Sequence, residues 1–96
     1  MGPETAEQRV SAGAALLDEK GPLRWRQKIR PASLDMYDNC VLDMVMGDWS
    51  RGLKELGLAR GSGAGGTYGF TPRNSADALE LRNTWIEESK RDGRAE

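Results

Sequence analysis

The chain contains no histidine, which removes the commonest general base and the commonest zinc ligand together. It has one cysteine, Cys40, so no internal disulfide forms and a reducing compartment is favoured. Aromatic residues make up only 6%, and no apolar run approaches the ~20 residues that span a bilayer. The net charge is −1, so a global basic field for nucleic acid or anionic membrane is missing. The start of the chain shows no basic stretch followed by an apolar one, and the expected location is cytoplasmic, in the cell itself or in an infected host.

What is present suits one small folded unit. Ninety-six residues, 38% hydrophobic and 30% charged, make a globular chain with a modest core. The expected organisation is a single domain over residues 1–91 and a polar tail over 92–96. Charge is unevenly distributed along it. Residues 21–34 carry four basic and no acidic side chains, and residues 35–48 carry four acidic and no basic ones.

Local patterns predict three main helices. Thr5 and Gln8 have capping-box spacing, and Val10, Ala14 and Leu17 form an apolar stripe that Gly21 and Pro22 terminate, placing the first helix at about 5–20. Leu23, Trp25 and Ile29 fit either an alternating strand or a short helix, and Pro22 favours the helix. A loop over 31–38 turns Leu34 and Met36 inward, and Asp38 or Asn39 caps the next helix. From Val41 to Leu56 a helical stripe runs through Leu42, Val45, Trp49 and Leu53, ending at Gly57-Leu58 in a Schellman pattern. Gly47 and Gly52 each cost about 1 kcal/mol inside a helix and mark a bend or a close crossing. Residues 59–67 read as a glycine-rich loop, followed by an extended piece or short hairpin near 67–71. The last helix is capped by Asn74 or Ser75 and buries Ala78, Leu81 and Trp85. The expected fold is therefore mainly α, a compact bundle of three main helices with a short extra helix. Its core comes from Val10, Leu17, Trp25, Leu42, Val45, Trp49, Leu53, Phe70, Leu81 and Trp85.

Few residues suggest chemistry. Arg24, Trp25, Arg26, Lys28 and Arg30 form the candidate binding surface: the cations suit phosphates and the indole suits stacking on a base. Against this stands the favoured structural reading, in which Trp25 and Ile29 are core and the cations are solvated or paired to Asp35, Asp38, Asp43 and Asp48. Gly61, Gly63 and Gly66 match the spacing of a dinucleotide-binding loop, but no strand precedes them, so the segment reads as a connector. Asp43 and Asp48 lie about 140° apart on one helix and do not converge, and the loop around Asp35 and Asp38 lacks the calcium-loop pattern. Cys40 falls near a helix start, where thiols can be activated, yet no base accompanies it. No catalytic residue, cofactor or metal site is expected, and the chain is not read as an enzyme. A homodimer through the Gly47/Gly52 region is compatible with the pattern.

The order Trp25, Lys28-Ile29, Leu34-Asp35-Met36, Cys40-Val41-Leu42, Gly47, Gly52-Leu53, Leu56-Gly57, Tyr68-Gly69-Phe70 and Trp85 resembles a group of short proteins from actinobacteriophages and their actinobacterial hosts. The likeness spans the first helix to about Ile86, and its apolar and glycine positions speak to a shared fold. Related chains often carry a second cysteine three positions before the one matching Cys40, and a Gly-Gln pair after the Val-Leu. Here those places hold Tyr37 and Asp43-Met44, so no cysteine-pair chemistry carries over. The resemblance implies a phage-type accessory protein and no activity; together with the lack of catalytic groups it leaves binding to a host or phage protein as the expected role. Weak nucleic-acid binding through residues 24–30 is the alternative.

Overall fold

The computed structural model describes residues 5–37, 39–58 and 64–91. The polar tail, Asp38, Gly61 and Gly63 lie outside the described residues. The fold is mainly helical, and no strand occurs among the described residues. Helix α1 spans Ala6–Lys20, a 3-10 turn spans Trp25–Lys28, and α2 spans Val41–Met46. They are followed by α3 (Trp49–Glu55), α4 (Ala64–Thr67) and α5 (Ser75–Ser89).

The local signals at the helix ends act as expected. The Thr5 hydroxyl accepts the Gln8 amide at 3.1 Å, and the Gln8 side chain accepts the Thr5 amide at 3.0 Å, a closed capping box. Asn74 caps α5 by accepting the Asp77 amide at 2.8 Å. Gly57, at φ 79°, ends α3, with Leu58 N–H donating to the Leu53 carbonyl and Gly57 N–H to that of Lys54. That pair of bonds is the Schellman motif.

Three local expectations are corrected. The single helix from Val41 to Leu56 is two. Gly47 takes a left-handed φ of 89°, and the Asp48 side chain then accepts the Arg51 amide at 2.9 Å to start α3. A glycine that ends one helix, followed at once by a good N-cap, outweighs a continuous apolar stripe. Gly52 lies at the crossing of α2 and α3: a Cβ there would stand 3.1 Å from Leu42 Cβ and 3.2 Å from Met46 Cγ. The hairpin near 67–71 is absent; residues 64–67 form α4, and the Phe70 and Thr71 amides both bond the Gly65 carbonyl. The third correction is at the second helix's start, where Cys40 occupies the cap position and Asn39 instead pairs with Asp35 through both backbone groups.

Helices α1 and α5 lie side by side and are tied at both ends. Arg9 meets Asp77 near their N-termini, and Arg26 bridges Asp18 and Glu88 near their C-termini. The two therefore run in the same direction, and everything between them in sequence forms the crossover. The core fills the space this leaves. Trp85 stacks on Phe70 with centroids 5.5 Å apart and meets Trp25 edge-on at 6.0 Å. Of the expected core residues all are buried except Trp49, which is half-buried at the edge.

Gly13 marks the tightest contact of α1. A Cβ there would collide with the Tyr68 carbonyl oxygen and press on Trp85 and Phe70. Glycine to alanine inside a helix ordinarily gains about 1 kcal/mol. Gly13→Ala is expected to reverse that sign and destabilise by about 1–3 kcal/mol, the usual range for overpacking, as measured by urea unfolding. A gain in stability would contradict this packing.

Candidate functional site

The basic segment does not form the stacking surface expected of it. Trp25 is only 3% exposed. Its indole N–H donates to Asp18 at 3.0 Å, and the Arg26 guanidinium lies 4.3 Å from its ring centroid. Arg26 also bonds Asp18 at 2.9 Å and Glu88 at 2.7 Å. Burial alone would lower the Arg26 pKa, but the bonds to Asp18 and Glu88 more than offset this and raise it. The partners are thus Asp18 and Glu88, from distant elements, and not the acidic run that begins at Asp35. Arg24, Lys28 and Arg30 remain exposed, with no ion pair among the described residues. Arg24 holds a left-handed φ of 61° that turns the chain into the 3-10 segment, which is why neither a strand nor an α-helix develops from Pro22.

A different place has the character of a site. The Asp35–Asn39 backbone pair closes a tight loop, and the Asp35 carboxylate accepts the Tyr37 amide at 2.9 Å. The loop buries Met36 and Cys40 and leaves Tyr37, between them, 62% exposed. Beside it lies an open groove of about 330 Å³ lined by Met36, Tyr37, Cys40, Asp43, Trp49, Phe70, Thr71 and Pro72. Its walls come from the loop, both halves of the broken helix and the segment leading to α5. The break at Gly47 sets Trp49 on an element of its own, so the site depends on the interruption that the apolar stripe concealed.

Two of the lining residues, Asp43 and Cys40, are bonded to each other. Asp43 Oδ2 accepts the Cys40 amide at 3.2 Å and the Cys40 thiol at 3.5 Å. Burial pushes the Cys40 thiol up to about 11, so it stays protonated near neutrality and is a poor nucleophile. Its position at a helix start does not activate it, because burial outweighs the hydrogen bonds from the Asp43 and Leu42 amides that would lower its value.

Tyr37 and the groove were not singled out from the sequence. The usable signal was a lone tyrosine in an Asp-rich loop between two inward apolar residues, since such a ring has little reason to be exposed there. Among the described residues no group of three or more His, Cys, Asp or Glu gathers as a metal site requires, and no helix is long and apolar enough to cross a membrane. Fold and site together define a small, mainly helical protein with an aromatic-lined groove at one edge of its core. Compared with protein-family models, curated proteins and solved structures, the chain shows no match.

Proposed function

We propose that the protein acts by binding another protein, and that the groove beside Tyr37 is where it does so. The observation that carries this reading is that exposed Tyr37 and half-buried Trp49 line one groove, while Trp25, Phe70 and Trp85 are buried in the core. Tyrosine and tryptophan offer large contact area with few rotatable bonds and dominate the energetics of protein interfaces. The groove volume lies near the low end of the ~300–1,000 Å³ of small-molecule sites, a size suited to one inserted side chain. The likeness to actinobacteriophage chains adds the context: an accessory protein acting in the cytoplasm on a host factor. Catalysis has no part in this reading, given a chain without histidine and a buried thiol held in its protonated form.

The test is a comparison of the protein with Tyr37→Ser as baits in actinobacterial lysate. An exposed position tolerates this substitution within about 0.5 kcal/mol of stability, so a lost partner reports the surface and not the fold. The expected result is a protein retained by the parent chain and released by the variant. Identical retention by both would place the contact elsewhere, and no retention by either would remove the reading. Exposed Arg24, Lys28 and Arg30 favour weak nucleic-acid binding as a second reading, now without a stacking ring. A labelled duplex in the same experiment should then shift only at low salt, since only a few phosphates are neutralised.

A further inference from the structure

We propose that the groove receives a lysine or arginine side chain of the partner protein; this rests on the groove being the docking surface. Three features point to a cation. Tyr37 and Trp49 both contribute aromatic side chains to the lining, and aromatic rings attract ammonium and guanidinium groups. Among the described residues of the lining Asp43 is the only charged one, and no lysine or arginine occurs from Pro31 to Ser50. One oxygen of that carboxylate, Oδ2, is taken by Cys40, while Oδ1 accepts no hydrogen bond from the described residues. A basic side chain satisfies all three at once: its aliphatic stem meets the apolar part of the lining, and its charged head reaches the Asp43 carboxylate. A neutral aliphatic group leaves Asp43 unsatisfied, and an anionic one is repelled by it.

The probe is n-butylammonium chloride, the stem and head of lysine, added to the isotopically labelled full chain at fixed ionic strength. n-Butanol, nearly the same shape without charge, is the comparison. The expected result is saturable amide shifts confined to Tyr37, Cys40, Asp43 and the Trp49 indole, with n-butylammonium binding roughly tenfold tighter than n-butanol, the gain of one charge-assisted hydrogen bond. Asp43→Asn, which keeps a carbonyl for the Cys40 amide, should bring the two affinities together. Equal binding of the two probes to the parent chain overturns the cation assignment and leaves the groove as a docking surface. That comparison needs no variant to fold. No localised shift from either probe overturns the groove as a binding site altogether.

Discussion

Replacing Arg9 with methionine is expected to cost about 3–5 kcal/mol of folding stability, the range for breaking a buried ion pair from one side. Arg9 is only 1% exposed. Its guanidinium donates to Asp77 at 2.6 Å, to the Gly66 carbonyl at 2.7 Å and to the Thr71 carbonyl at 3.1 Å. It thereby fastens α4 and the following loop to the start of α5. Methionine fills similar space but removes the donor to Asp77 Oδ1 and to the Thr71 carbonyl and leaves the Gly66 carbonyl with the Gly69 amide alone, and each desolvated group that loses a bond costs free energy. Urea unfolding of the two proteins measures the difference; a loss below about 1 kcal/mol, the value of an exposed pair, would show that the network is not formed.

The same pair predicts an acid dependence. Burial would raise the Asp77 pKa, but the bonds from Arg9 and from the Arg73 amide outweigh it and lower the value. A carboxylate whose folded pKa is depressed stabilises the fold fully above its unfolded pKa of about 3.9, and that contribution is lost as pH falls through the folded value. The gap in stability between the parent and Arg9→Met should therefore narrow as pH drops below about 4. It should not close, because the two carbonyl bonds do not titrate.

Trp85→Ala should be of similar size, about 3–5 kcal/mol. Trp85 is 0% exposed, and its indole N–H donates to the Gly69 carbonyl at 2.7 Å. The ring touches both Phe70 and Trp25, so its loss opens a cavity shared by α5, the 3-10 turn and the loop after α4. A domain of this size commonly has only about 5–15 kcal/mol in total, and the variant should melt far below the parent in calorimetry. Leu79→Ala on the same helix, at a site 59% exposed, is the control and should stay within about 0.5 kcal/mol. Comparable losses at the two positions would mean that the apolar face of α5 has been placed wrongly.

How far the sequence could be read follows from the range of each interaction. The capping box at Thr5 and Gln8, the Asn74 cap and the Schellman ending at Gly57 involve partners within five residues, and all three are formed. Leu34 and Met36 turn inward as their loop suggested. Arg9 was missed because a single arginine in α1 looks like a solvated residue. Its spacing to Gly13 and Leu17 nonetheless puts it on the buried face, a usable signal. Arg26 was assigned to a binding surface because its partners, Asp18 and Glu88, meet only when α1 and α5 are side by side. Trp25 followed it, since the same packing covers its ring.

Short-range order was thus determined by the amino-acid sequence itself: a mainly helical chain, where its two long helices begin, and which apolar residues form the core. Tertiary structure alone decided that the middle helix breaks at Gly47, that Arg9 and Arg26 join distant elements, and that Tyr37, Asp43 and Trp49 share one groove. The physical reason is that capping and periodicity act between neighbours in sequence, whereas desolvating a charge or exposing a ring depends on which surfaces the whole chain brings together.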